Sequence, residues 1–75
     1  MPKLRKLSGE ETIKLLEQLG FNRIRQRGSH VIIKKYTSIG NVGCVVPLHK
    51  ELKIGTLLGI LKQAKIDPEE FASLT

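Results

Sequence analysis

The sequence predicts a single α+β domain over residues 1–75, ordered αβββα and closed by a short C-terminal helix. Three observations predict it. Two amphipathic segments, the first with a capping box, lie toward either end of the chain. Three β-branched or alternating runs lie between them. Gly28 and the Ser38–Gly40 segment supply turns at the strand junctions.

Residues 8–20 read as the first helix. Ser8 is a good N-cap, and Glu11 three positions on completes an S-x-x-E capping box. Glu10 and Glu11 suit the positive end of the helix dipole. Ile13, Leu16 and Leu19, with Leu15 at the margin, form the apolar stripe. Gly20 is the expected left-handed residue after the helix, and Phe21 folds back onto Leu16.

Asn22 to Arg27 reads as a short strand. Ser29 to Thr37 is β-branched and apolar at its start, then basic, and reads as a second strand. Asn41 to Pro47 reads as a third strand. Pro47 ends it because proline has no N–H to give a ladder. Residues 54–65 read as a second helix, with Ile54, Leu57, Leu61 and Ala64 on one face and Leu58 and Ile60 widening it. Gly59 costs roughly 1 kcal/mol there relative to alanine, with close packing on the sheet as one reason to keep it. Asp67, Pro68 and Glu70 supply an N-cap, a first-turn proline and a second capping box for the last helix. Ile66 and Phe71 are placed as its hydrophobic staple.

The simplest packing is a three-stranded antiparallel sheet with both main helices on one face. Alternation along the strands then assigns faces. Val31 and Ile33, with Val42, Cys44 and Val46, go to the core. His30, Ile32, Lys34 and Tyr36 go to the open face, with Val45 as an exposed apolar neighbour. A one-residue slip would reverse this and bury His30.

Composition bounds the class. The chain has 13 Lys and Arg against 7 Asp and Glu, a formal charge of +6. So small a cationic surface favours polyanions, nucleic acid first, or an acidic protein. Hydrophobic residues are 40% of the chain, which argues against disorder. Phe21, Tyr36 and Phe71 are the aromatic residues, so the core is expected to be aliphatic. One cysteine, Cys44, gives no internal disulfide and points to a reducing, cytoplasmic setting. No apolar run approaches the roughly 20 residues of a membrane span. The N-terminal MPKLRKLSGEE lacks the apolar centre of a signal peptide.

The order and spacing of several short motifs resemble one family. They are Gly28, Ser29 and His30 at the second strand; Val46, Pro47 and His49; Gly55, Thr56 and Leu57; and Ile60, Leu61, Gln63 and Ala64. Together they resemble the HicA toxins, endoribonucleases of bacterial and archaeal toxin–antitoxin pairs. Lys65 departs from the pattern, which has glycine there to close a helix. The resemblance implies a fold similar to double-stranded-RNA-binding domains, cleavage of mRNA without a metal, and catalysis by the strand-two histidine. It also implies neutralisation by a HicB-type antitoxin that covers the site.

Metal-free cleavage of RNA uses the substrate's own 2′-OH as nucleophile. It needs a base, an acid and positive charge for the pentacoordinate phosphorus. Imidazole suits either proton transfer, which makes His30 the candidate catalyst. Arg23, Arg25 and Arg27 recur at period two and imply one cationic strand face, read either as a charge-protected edge or as a phosphate clamp. Arg25, Arg27, Lys34 and Lys50 are the candidate phosphate contacts, and Lys35 is expected to point elsewhere. Gly28 reads equally as a turn glycine and as a gap that lets RNA backbone approach. Ser29 reads first as a turn residue and second as a phosphate contact. Tyr36 reads as a base-stacking ring or an edge residue. His49 is read as a loop anchor before it is read as a second proton carrier. No metal-ligand spacing and no cofactor motif is present, so none of either is expected. The partners expected are RNA and the antitoxin, with the free chain a monomer or weak dimer and no membrane contact. Competing readings are a non-catalytic RNA-binding module of the same fold and a protein-interaction domain.

Overall fold

The computed structural model describes residue 4 and residues 6–75. The reading of MPKLRKLSGEE as lacking a signal-peptide centre lies partly outside the described residues. The elements are α1 (Gly9–Gln18), β1 (Asn22–Arg27), β2 (His30–Thr37), β3 (Gly40–Pro47), α2 (Ile54–Gln63) and α3 (Pro68–Ala72). The strands form one antiparallel sheet in the order β1-β2-β3. This is the expected αβββα arrangement, with strand ends within a residue of the sequence reading.

Local chemistry sets the helix ends. Ser8 Oγ accepts the Glu11 N–H at 3.0 Å, and the Glu11 carboxylate accepts the Ser8 N–H at 3.0 Å. The capping box of α1 is therefore closed on both sides. Buried Thr12 satisfies its hydroxyl by donating to the Ser8 carbonyl at 2.9 Å. At the other end Gly20 has φ +97°, the Gly20 N–H reaches Glu17 O, and the Phe21 N–H reaches Leu16 O at 3.1 Å. That pair of bonds is the Schellman closure, and it folds Phe21 back to Leu16. In α3, Asp67 caps the Glu69 N–H at 3.2 Å through its side chain alone. The expected reciprocal bond from Glu70 does not form, and Glu70 instead lines a cleft beside Lys35 and Lys65.

α2 ends two residues earlier than the sequence suggests because Ala64, Lys65 and Ile66 form its closure. Lys65 stands at φ +58° where a glycine would be at ease. Its N–H still reaches Lys62 O, and Ile66 N–H reaches Leu61 O at 2.9 Å, so the Schellman bonds survive the substitution. A side chain in the left-handed region costs about 1–2 kcal/mol, part of which glycine's extra unfolded-state entropy offsets. Lys65→Gly is expected to stabilise the fold by about 1 kcal/mol in urea denaturation.

The core lies between the sheet and the helices. Val31, Ile33, Cys44 and Val46 from the strands meet Ile13 and Leu16 of α1, Leu57, Ile60 and Leu61 of α2, and Phe71 of α3. It is mainly aliphatic, as expected, with Phe21 and Phe71 its aromatic members. Leu7 and Leu52 are also buried, although both lie outside the regular elements. The Leu52 N–H donates to Leu7 O at 2.7 Å and ties the chain before α1 to the β3–α2 loop. Cys44 is an inert member of this core: burial pushes its thiol up to about 11. Its contribution to stability is lost as pH rises past the ordinary thiol range toward that value, because the unfolded chain ionises first.

Close approach of helix to sheet occurs at Gly9, not at Gly59. A Cβ on Gly9 would stand 2.0 Å from Pro47 O, whereas one on Gly59 would meet nothing within 4 Å. The Gly9 N–H also donates to His49 O at 2.9 Å. The start of α1 thus rests directly on the backbone that leaves β3. Among the described residues no helix is long and apolar enough to cross a membrane.

Candidate nucleic-acid interface

β2 has the parity the alternation predicts. Val31 and Ile33 are buried, while His30 is exposed on the opposite, uncovered face. The turn before it makes this geometry. Arg27 pairs with His30, leaving Gly28 and Ser29 as a two-residue hairpin turn. Gly28 has φ +57°, and Ser29 does not share the positive φ, which is the pattern of a type II′ turn. A Cβ on Gly28 would meet nothing within 4 Å. The glycine is therefore required by backbone conformation, and the space beside it is open. Gln26 Nε2 donates to Gly28 O at 2.9 Å, and Leu48 N–H donates to Ser29 O at 2.6 Å. Both carbonyls of the turn are held, so the start of β2 is fixed from both sides.

Directly paired residues of a sheet share a face, with Cβ atoms about 4.5–5.5 Å apart. The open face can therefore be written as rows across β1, β2 and β3. The first is Arg27, His30 and Pro47; the second is Arg25, Ile32 and Val45; the third is Asn22, Lys34 and Gly43. Tyr36 and Asn41 form a fourth at the far end, with Tyr36 67% exposed. The sheet contains no Asp or Glu, so Arg25, Arg27 and Lys34 present unopposed positive charge around the imidazole. Ile32 and Val45 make a short apolar strip between the cationic rows, with Val45 42% exposed.

Arg23 is not part of this face. The register shifts between Arg23 and Arg25, so Ile24 is an unpaired bulge, 47% exposed. An extra residue inverts the alternation on one side of it. Arg23 consequently pairs with Ile33 on the helix side and reaches Glu10 and Glu17 of α1. The hydrogen bond from Arg23 holds the Glu10 carboxyl below its ordinary range, and Glu10 in turn raises Arg23. The clip works above the ordinary carboxylate range and is released as pH falls through the lowered value. The expectation of three guanidiniums on one face is corrected to two.

Lys34 and Gly43 form a contact the sequence reading missed. A Cβ on Gly43 would stand 3.2 Å from Lys34 Cγ, so the lysine stem lies over the glycine. A lone glycine inside a strand pattern was the available signal for such an approach. Lys35 points to the other side, as expected, with its ammonium 6.0 Å from the Phe21 ring centroid. His49 and Lys50 are exposed in the loop after β3. The carbonyl of His49 takes the Gly9 N–H, which is the anchoring role. Lys50 lies three positions beyond Pro47 and belongs to the loop, not to the sheet face.

Among the described residues no group of three or more His, Cys, Asp and Glu is gathered to hold a metal. A cleft of about 490 Å³ lies at the opposite end of the sheet, between the β2–β3 turn and the α2–α3 junction. His30 is not among its lining residues. An exposed, cationic sheet face suits a polyanionic strand better than a small enclosed ligand.

Comparison with known proteins agrees with the motifs. Residues 9–66 match the family described as the HicA toxin of bacterial toxin–antitoxin. The match runs from the first residue of α1 to the closure of α2 and includes every residue of the open sheet face. No curated protein matches the chain, and no solved structure does. With well over half of its length matched, the chain belongs to the HicA family of bacterial toxin–antitoxin toxins.

Proposed function

We propose that this protein is an endoribonuclease toxin that cuts mRNA in the cytoplasm without a metal, and that a HicB-type antitoxin silences it by covering the open sheet face. The observation that carries the reading is the row Arg27, His30 and Pro47: an exposed imidazole beside a guanidinium, on a face with no carboxylate.

The chemistry follows from RNA itself. The 2′-oxygen attacks the adjacent phosphorus and gives up its proton to a base. The bond from phosphorus to the 5′-oxygen breaks, and that oxygen receives a proton. The products are a 2′,3′-cyclic phosphate and a 5′-hydroxyl, with no net water consumed. His30 carries one of the two protons. Arg27, with Arg25 beyond it, stabilises charge on the pentacoordinate phosphorus. Lys34 and Lys50 neutralise phosphates of the flanking strand. Gly28 and Ser29 let the backbone approach beside the turn. Ile32 and Val45 give unpaired bases an apolar floor.

The test is a substrate that cannot attack itself. An RNA uniformly carrying 2′-O-methyl groups is expected to bind and stay intact, while the matched unmodified RNA is cut to 2′,3′-cyclic phosphate ends. Cutting of the methylated strand would rule out this chemistry. Salt-sensitive binding of both RNAs with neither cut would favour a non-catalytic RNA-binding module.

A further inference from the structure

We infer that the outer edge of β3 is the docking strip for an extended strand of the antitoxin partner, one that places an acidic side chain beside Lys34. The inference rests on the toxin–antitoxin reading above and adds where and how the partner attaches.

The two edges of the sheet are built differently. β1 carries Arg23, Arg25 and Arg27 and a bulge at Ile24. Charge and bulges both blunt an edge against pairing. β3 reads GNVGCVVP, with eight residues and no charge. Its register with β2 runs unbroken from Gly40 to Pro47, and its proline comes only at the end. An uncharged, regular edge of that length is a template for another strand.

The register identifies the free groups. The Leu48 N–H donates to Ser29 O, so in this ladder Val42, Cys44 and Val46 turn their backbone groups toward β2. Asn41, Gly43 and Val45 turn theirs outward. All three residues are exposed. Among the described residues, no loop or cap backbone hydrogen bond reaches them. The close backbone approach of α1 to this strand is at its far end, where Gly9 meets Pro47, and the core contacts of the helices are with its inward-facing residues Cys44 and Val46.

Charge selects the occupant. Lys34 lies over Gly43 at the middle of this edge. A second copy paired about Gly43 would bring two Lys34 side chains together, on chains of +6 each. A partner strand with a carboxylate opposite Gly43 meets Lys34 with the opposite sign, and an apolar residue two positions along meets Val45. Such a strand sits two inter-strand spacings of about 4.8 Å from β2. The outward backbone groups of β3 take no part in the proton transfer at His30, while Lys34 and Val45 are shared with the proposed RNA contacts.

Backbone amide hydrogen exchange on the His30→Ala chain, free and bound to its pair's antitoxin, tests this. The amides of Asn41, Gly43 and Val45 are expected to exchange fast when free and at least about tenfold more slowly in the complex. Val45→Pro removes one outward N–H without touching the ladder to β2 and is expected to weaken binding about tenfold. Asn41→Pro serves if that variant does not fold, which exchange at Cys44 and Val46 reports. A complex that leaves the three amides unprotected overturns the docking strip and leaves the partnership standing. Failure of the two proteins to associate overturns both. Protection that grows with concentration in the free chain overturns the inference by assigning the edge to a second copy.

Discussion

His30→Ala is expected to slow RNA cleavage by about 100- to 10,000-fold, the range that a positioned proton carrier supplies. Folding should be nearly untouched. The imidazole is exposed on the open face, and its neighbours Val31 and Ile33 make the core contacts of β2. A surface change of this kind usually moves stability by no more than about 0.5 kcal/mol. The pair of readings separates catalysis from structure: activity collapses while the urea midpoint stays. Exposure also makes rescue possible. Free imidazole in solution can reach the vacated place, so partial recovery of cleavage by the His30→Ala chain is expected with added imidazole and absent with added acetate.

Gly9→Ala is expected to destabilise the fold by about 3 kcal/mol or more, the upper range for overpacking. The new Cβ would stand 2.0 Å from Pro47 O and 2.9 Å from Leu48 Cα, so it meets backbone on both contacts. Neither strand end nor helix start can yield without breaking something. The Gly9 N–H is bonded to His49 O, and the Leu48 N–H is bonded to Ser29 O. Any relief moves Pro47, which sits opposite His30. The substitution should therefore lower the melting temperature steeply, at about 4–8 °C per kcal/mol for a domain of this size. It should also weaken cleavage in the fraction that remains folded. The matched control is Gly59→Ala in α2, where nothing lies within 4 Å. There the same change is expected to stabilise by roughly 0.5–1 kcal/mol, through helix entropy alone.

These two residues mark the boundary of what the sequence reveals. His30 faces outward because Val31 and Ile33 must face inward, and alternation of period two is written in the residues themselves. The helices were equally legible, since Ser8 with Glu11 and Gly20 with Phe21 are local signals that the structure realises bond for bond. Lys65 shows the limit of a local rule. Its left-handed backbone is held because the Lys62 and Leu61 carbonyls and the Ile66 contact fix the closure regardless of the side chain.

What stayed hidden depends on contacts far apart in the chain. Gly9 looks like an ordinary first-turn residue until Pro47 is brought against it. The bulge at Ile24 has no signature in NRIRQR, where three arginines alternate without a break; it is visible only in the pairing with β2. Its effect on the face is large, because it assigns Arg23 to Glu10 and Glu17 and leaves Arg25 and Arg27 beside His30. Leu7 and Leu52 were missed because burial outside a periodic segment leaves no pattern to read.

The most direct test of a metal-free, histidine-dependent ribonuclease is cleavage of one purified RNA in EDTA by the wild-type chain beside folded His30→Ala. Fragments with 2′,3′-cyclic phosphate and 5′-hydroxyl ends are expected from the wild type, and intact RNA from the variant. Cutting by the folded variant, or cutting by the wild type only when a divalent cation is restored, would contradict this reading.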